Sequence, residues 1–451
     1  MTASLPSKLS ELVDEKKYQK IVADMLAIAK QKGAEQTEVA AFFQQGLSIN
    51  VRQQKVETLE FNRDKAVGIT VYIDQRKGSV STTDISQASI ESAVQKAIDL
   101  AKYTEKDDCA GLAEKEDLAK HYPDLKLYHP WDVSIEECIE RTKACEQSAL
   151  SYDERISNSE GASFSSNQGY HIHANSDGFM GSYPTSRHSL SCVVIAKGND
   201  NMVRDYDYTI SRKAEGLEEA SQIGRNAAKR TVDRMNARKI PTGKVAVIYD
   251  ARMAQSLIGS FLSAISGGPL FRKTSFLLDS MGKQIFPSHI NLEEKPHLLE
   301  ALGSAPYDSN GVATRDKFFL KDGRVENYVL GAYSARKLKM KNTGNAGGVH
   351  NLHISTSDQD LASLCKEMGT GFLVTELMGQ GVNMVTGDYS RGASGYWIEN
   401  GEIQFPVHEV TVAANLKDVF KNIVKIGNDI ERRGNILTGS MLIESMMVAG
   451  T

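Results

Sequence analysis

Lys239-Ile240-Pro241-Thr242-Gly243-Lys244-Val245-Ala246-Val247-Ile248-Tyr249 is the stretch on which the reading of the fold turns. Pro241 and Gly243 punctuate the chain. The run from Lys244 to Tyr249 is short, apolar and bounded by turn-forming residues, as a buried strand is. A helix is predicted to leave it, from Ala251 to Ile265. The punctuation places a domain boundary here, with an N-terminal α+β domain over residues 1–240 and a C-terminal β-rich domain over residues 241–451.

Upstream, Leu12, Val13, Ile21, Val22, Met25 and Leu26 fall near one helical stripe, and Gly33 stands where that helix would stop. From Thr37 the pattern becomes strand-like, with runs at 38–43, 47–51 and 67–73 predicted to form an antiparallel sheet. Helical spacing returns at Ile90, Ala93, Val94, Ala97, Ile98 and Ala101, and again at Cys138, Thr142, Cys145 and Ala149. A second group of strands follows between Ile156 and Arg212, separated by turns at Asn175-Ser176-Asp177-Gly178 and Gly198-Asn199-Asp200-Asn201. A helix from Leu217 to Met235 then leads to the boundary.

Downstream, glycine density rises. Asp322-Gly323 and Asn400-Gly401 each sit between strand-like runs and signal hairpins, the first joining 317–320 to 325–330 and the second joining 395–398 to 403–407. No convincing repeat is present. The fold class is α+β in two domains, with antiparallel sheets and helices in the first and a β-rich second.

A chain of 451 residues, 41% of them hydrophobic, can bury more than one compact core. Its net charge of -4 supplies no basic field for nucleic acid. Five cysteines, without a C-x-x-C pair, fit free thiols in a reducing compartment. Met1 to Lys20 is polar and has neither signal-peptide nor transit composition, and no apolar run approaches the roughly 18 residues of a membrane span. The expectation is a cytoplasmic protein with no membrane partner.

Zinc hydrolysis needs about three side-chain ligands, an open position for water and a nearby carboxylate. His408-Glu409 lies in a strand-like run with no second histidine a helical turn away. His171-Ile172-His173 would put two imidazoles on one strand face, a spacing that metal sites use, but two half-exposed polar positions alternating with a core Ile are the favoured reading. His350 and His353 would meet only on a helix, against which the preceding glycines argue. Cys192 sits in an apolar run and reads as a buried strand position. No G-x-S-x-G and no phosphate loop occur.

Three glycine-rich segments remain, at 342–348, 375–381 and 386–395. Such loops allow close backbone approach and suit the walls of a cleft for an extended peptide, but tight turns of a β-rich domain have the same composition. The candidate substrate-binding residues are Gly344, Asn345, Gly347, Gly348, Thr375, Glu376, Gly379, Gly381, Gly387, Asp388 and Ser390.

These loops, the run Tyr396-Trp397-Ile398-Glu399-Asn400-Gly401-Glu402-Ile403-Gln404-Phe405-Pro406-Val407 and the late Ile426-Gly427-Asn428-Asp429-Ile430 resemble the PmbA/TldE family across essentially the whole chain. The resemblance implies a heterodimeric zinc peptidase built from TldD and TldE subunits and acting on unfolded or extended peptides. It implies that the catalytic sister carries H-E-x-x-x-H on the helix after the first C-terminal strand, and a cysteine near its C-terminus. Matching Arg272-Lys273-Thr274-Ser275 to the sister's R-x-T-S places Ile258, Gly259 and Ser263 on the motif and Thr438 near the cysteine. None of these four is a zinc ligand or base of the usual kind.

The resemblance therefore implies a non-catalytic subunit without a metal of its own, with zinc held by a TldD-like partner. In isolation the chain could form a homodimer. Two further functions stay open: a metallopeptidase with a site relocated to His171 and His173, or a regulatory binding protein without proteolysis.

Overall fold

A computed structural model of the chain describes residues 12–198 and 202–450. The turn predicted at Gly198-Asn199-Asp200-Asn201 therefore falls largely outside the described residues, as does the start of the polar N-terminal segment. The first half comprises α1 (Glu15–Gln31), β1 (Gln36–Arg52), β2 (Lys55–Ile73), β3 (Arg76–Thr82), α2 (Gln87–Tyr103), α3 (Ile135–Leu150), β4 (Ile156–Asn175), β5 (Met180–Lys197), β6 (Met202–Ser211) and α4 (Ala220–Asp233). Its strands make one antiparallel sheet in the order β3-β2-β1-β4-β5-β6.

Alternation along these long strands sorts their residues onto two faces. Odd positions of β1, from Val39 through Phe43 to Val51, are buried under helices. α1 and α2 cover one end with Val22, Met25, Val94 and Ala97, and α3 and α4 cover the other with Cys138, Cys145, Ile223 and Ala227. Burying one such large apolar side chain contributes about 1.5–3 kcal/mol. Ser134 starts α3 through a capping box with Glu137, and Asp14 caps α1 by accepting from the Lys17 amide at 3.1 Å. The opposite face, with Ala40, Phe42 and Gln44, is left for the second half of the chain.

The two runs predicted at 38–43 and 47–51 are one strand. Gln44, Gln45 and Gly46 stay in register with Asp64, Arg63 and Asn62 on one side and with Gly169, Gln168 and Asn167 on the other, so their polar character does not break the ladder. The helix predicted from Leu217 starts at Ala220, after a single tight turn at 214–216.

The second half comprises β7 (Gly243–Tyr249), α5 (Ala251–Ala264), α6 (Gly267–Phe271), β8 (Leu292–Glu294), β9 (Lys317–Lys321), β10 (Arg324–Val325), α7 (Ala332–Leu338), β11 (Leu352–Ile354), α8 (Leu361–Met368), β12 (Gly371–Met378), β13 (Asp388–Glu399), β14 (Glu402–Asn415), α9 (Leu416–Lys421), β15 (Ile423–Ile426), β16 (Ile436–Leu437) and β17 (Met441–Ala449). One sheet has the order β14-β13-β12-β7-β17-β15 and is drawn round on itself by a β14–β17 pairing; the other has the order β10-β9-β8-β11-β16. β7 lies parallel to β12 and antiparallel to β17, and Val247, Ile248 and Tyr249 are fully buried, as the sequence predicts for this strand.

Both predicted hairpin turns form. Asp322 and Gly323, like Asn400 and Gly401, all have positive φ, as a type I′ turn requires. The first hairpin is shorter than predicted. Only Arg324–Val325 pairs with β9, because the chain then leaves to exchange hydrogen bonds between Val329 and Ile265 and Gly267. Among the described residues no helix is long and apolar enough to cross a membrane.

Charged contacts join the halves. Arg433 donates to Asp207 at 2.7 Å and to the Tyr208 carbonyl at 2.8 Å while also pairing with Glu431. Arg234, at the end of α4, bridges Asp205 and Glu376.

Gly78 in β3 tests the packing of the first half. A Cβ there would sit 1.9 Å from the Ala97 carbonyl oxygen and 2.6 Å from the Ala101 nitrogen, both backbone atoms of α2. Gly78→Ala is expected to lower stability by about 1–3 kcal/mol, read as a fall in the urea or thermal midpoint. An unchanged midpoint would mean that α2 does not lie this close to the sheet.

Candidate functional site

The helix α5 occupies the place of the metal-binding helix implied by the resemblance. It is capped by Asp250, whose Oδ1 accepts from the Met253 amide at 2.8 Å. Burial, reinforced by the charges of Asp429, Glu431 and Asp205, pushes the Asp250 carboxyl up to about 7. Ile258 is fully buried in the hydrophobic core beside Leu257 and Phe261. Ser263 is exposed and its hydroxyl donates to the Gly259 carbonyl at 2.8 Å.

Thr438 is fully buried and its hydroxyl donates to the Gly439 carbonyl. The donor set at these positions does not fit a zinc ion. Among the described residues no group of three or more His, Cys, Asp or Glu side chains is placed to hold a metal.

The glycine-rich segments go to two places. Gly344, Asn345, Gly347 and Gly348 form a loop beside the five-stranded sheet, with φ of +70°, +92° and +123° at the three glycines. A side chain at Gly347 would also strike Ser309, with its Cβ 2.3 Å from Oγ. The organiser of this loop is Glu294 at the end of β8, a fully buried residue that no motif singled out. Its carboxylate accepts from Asn345 Nδ2 at 2.9 Å, from the His350 amide at 2.7 Å, from His350 Nδ1 at 3.0 Å and from Lys317 Nζ. Burial alone would raise its pKa, but the bonds from His350 and Lys317 outweigh it and hold the group at about 2. Asp308 fixes the same loop by accepting from the Ala346 amide at 2.9 Å, and burial raises its pKa.

The second place lies around the β12–β13 connection. Thr375 and Glu376 are on β12, and Glu376 is engaged by Arg234. Gly379 and Gly381 follow; the Ser390 amide donates to the Gly381 carbonyl at 2.8 Å, and a Cβ on Gly381 would fall 1.6 Å from the Ser390 carbonyl oxygen. Gly387 packs near Phe276, and Asp388 accepts from Thr386 and Asn415. The three loops thus have separate neighbours, the first turned toward the N-terminal sheet and the others toward β14 and α4.

Where the first loop meets the open face of the N-terminal sheet there is a cavity of about 580 Å³. Its floor is Ala40, Phe42, Ala66, Gly68, His171 and His173, and its roof includes Tyr307, Asp308, Gly347, Gly348 and His350. His171 and His173 do share a strand face, as the sequence predicts. His171 stacks on Tyr183, with ring centroids 5.5 Å apart. Burial pushes the His173 imidazole down to about 4, partly offset by its hydrogen bond to the Asn310 carbonyl, and its Nε2 is buried without a protein partner. Neutral imidazoles could serve as ligands, but these two and His350 are not disposed around one point as a metal needs.

His353 lies in β11, opposite Glu293, so it shares no helix face with His350. His408 and Glu409 lie in β14, and Cys192 is a buried position of β5. Glu294, Asp308 and Tyr307 carry the site yet stand in no recognisable pattern. Glu294 stands in Leu292-Glu293-Glu294-Lys295, where neighbouring charges give no sign that one of them is buried.

Models of the three PmbA/TldA metallopeptidase domains match residues 38–101 for domain 1, 128–235 for the central domain and 242–450 for the C-terminal domain. The chain is 51% identical over 425 residues to metalloprotease PmbA of Escherichia coli O157:H7, covering 94% of each chain. It is 47% identical to the PmbA homolog of Haemophilus influenzae, covering 97% of each. Among solved structures, a Bacteroides thetaiotaomicron protein described as a proposed DNA gyrase modulator superposes with a TM-score of 0.92 at 28% identity, over 98% of this chain and 100% of that one. TldE of Thermococcus kodakarensis shares the fold, with a TM-score of 0.83 at 19% identity, over 95% of this chain and 100% of that one.

Replacing Glu294 tests whether its charge holds the loop. Glu294→Gln leaves the buried Lys317 ammonium without its counter-charge and is expected to cost about 3–5 kcal/mol. The native carboxylate is held below its unfolded pKa of about 4.3, so its contribution is present above that pH and is lost as the pH falls toward 2. The variant should lack this acid-dependent loss in urea unfolding followed from pH 6 down to about pH 2. Equal pH profiles for the two proteins would refute the assignment.

Proposed function

Because the chain belongs to the PmbA/TldA metallopeptidase family, we propose that it is the non-catalytic subunit of a TldD/TldE-type zinc peptidase, completing the peptide site of a TldD-like partner. The observation that carries this reading is the interior of α5. Ile258, in the place of the first histidine, is an aliphatic core residue with no solvent access, and Ser263, in the place of the second, offers only a hydroxyl that donates to the Gly259 carbonyl. Restoring a metal there would take new ligands and a rearranged helix.

The chain's own part in this reading is structural and steric. Neither the Gly344–Gly348 loop nor the small residues of the sheet beneath it fill the space between them, so backbone and aromatic surface stay available to an extended peptide. Zinc in the partner would polarise the scissile carbonyl and its bound water. This chain would bind and orient the substrate. Its polar but sealed Thr438 site would have no part in chemistry.

The test is reconstitution. The chain, a TldD-like partner and their mixture are assayed for bound zinc by elemental analysis and for cleavage of an unstructured peptide. Zinc is expected to follow the partner, with cleavage at full rate only in the mixture. Stoichiometric zinc and full turnover in this chain alone would refute the reading.

A further inference from the structure

A second cavity, of about 450 Å³, adjoins the first along the open face of the N-terminal sheet and shares Phe42, His171 and Tyr183 with it. Its far wall carries Arg187 and Arg212. Ser211 pairs with His188, which brings Arg212 beside Arg187 on the neighbouring strand. Like charges placed in this way repel.

Arg212 is only 6% exposed. Its guanidinium donates to the carbonyls of Ala301 and Leu302 at 2.9 Å each and of Ser186 at 3.3 Å, all neutral acceptors. Among the described residues neither arginine has an ion-pair partner. Glu300, on the adjoining loop, is taken by Lys213 at 2.5 Å. Burial, followed by the charge of Arg187, pulls Arg212 down to about 10. The carbonyl bonds account for the position of Arg212 but leave two positive charges facing the cavity without an anion. Gln44, Asn167 and Thr185 line the same wall and add polar groups.

The larger cavity has the opposite character. Its wall contains no Lys or Arg and one carboxylate, Asp308, with Phe42, Tyr183 and Tyr307 around a floor of Ala40, Ala66 and Gly68. An anion is disfavoured there, and an apolar or aromatic group is accommodated. The two cavities meet at Phe42, His171 and Tyr183, so one ligand can present an anion to one and an apolar group to the other.

We propose that this groove captures the C-terminal residue of a peptide, with its α-carboxylate between Arg187 and Arg212 and its apolar or aromatic side chain over Ala40, Ala66 and Gly68. A carboxylate and a side chain branch from one Cα, which would lie at the shared wall. Planar guanidinium donors suit a carboxylate, and two of them from adjacent strands fix its orientation. The inference rests on the peptide-handling reading above and narrows its substrates to chains with a free, apolar C-terminus.

The experiment measures fluorescence anisotropy of the full chain with N-terminally labelled Gly-Ser-Gly-Ser-Gly-Phe, as the free acid and as the C-terminal amide, and with the free acid ending in Gly. The Phe acid is expected to bind at least about ten-fold more tightly than its amide, because the amide loses charge-assisted hydrogen bonds. Arg187→Gln, at an exposed position where the loss of a like charge beside Arg212 should not lower the thermal midpoint, is expected to bring the acid down to the level of the amide. Ala40→Leu, which fills the floor, is expected to abolish the preference for Phe over Gly.

Equal binding of acid and amide, or full binding by Arg187→Gln, would overturn the proposal. So would equal binding of the Phe and Gly acids by the native chain, which would mean a site for anions only. No partner is needed in this assay. A chain that binds the acid but never supports cleavage by a TldD-like partner removes the subunit reading and keeps this one; cleavage in the mixture without preference for the acid does the reverse.

Discussion

The buried carboxylate of Glu294 is the constraint on which the interior of this protein depends. It sits where water does not reach, so it must be matched by charge and hydrogen bonds or be expelled. Lys317 supplies the charge from the adjacent strand, and Asn345 and His350 supply bonds from the glycine-rich loop. In satisfying the acid, the loop is drawn down onto the five-stranded sheet. Its other surface then becomes the roof of the cavity over the N-terminal sheet.

The cavity exists because the N-terminal sheet spends its two faces differently. One face is closed by four helices through large apolar side chains. The other face carries small residues such as Ala40 and Gly68, which cannot fill the gap up to the roof. The two halves are held at that spacing by ionic clasps at the sheet margin, where Arg433 spans Glu431 and Asp207 and Arg234 spans Asp205 and Glu376. Half-buried networks with several hydrogen bonds fix relative position more firmly than isolated surface pairs.

The same economy explains α5. A helix that leaves a central strand offers one stripe to the core and turns the other outward. Leu257, Ile258 and Phe261 take the core stripe, and Ser260 and Ser263 take the outer one with their hydroxyls bonded back to the helix. Both hydroxyls are bonded within the helix, and Gln255 reaches out to the Ile436 carbonyl.

Much of this was legible from the sequence. Periodicity gave the helices at 90–101 and 138–149 and the central strand before Tyr249, because burial of one face imposes period on any sequence. The Asp-Gly and Asn-Gly turns were legible because few other residues accept positive φ twice in succession. Long-range placement was not. Gln44-Gln45-Gly46 looked like a break but is held in register by strands on both sides, and three similar glycine loops were sent to two different places. The meeting of Glu294 with His350, and of Arg187 with Arg212, depends on which strands become neighbours. The sequence by itself determined which segments are helix or strand and which side chains α5 carries. Only the tertiary structure decided which residues share a cavity, because burial and the pairing of charge act between segments that the order of the chain does not bring together.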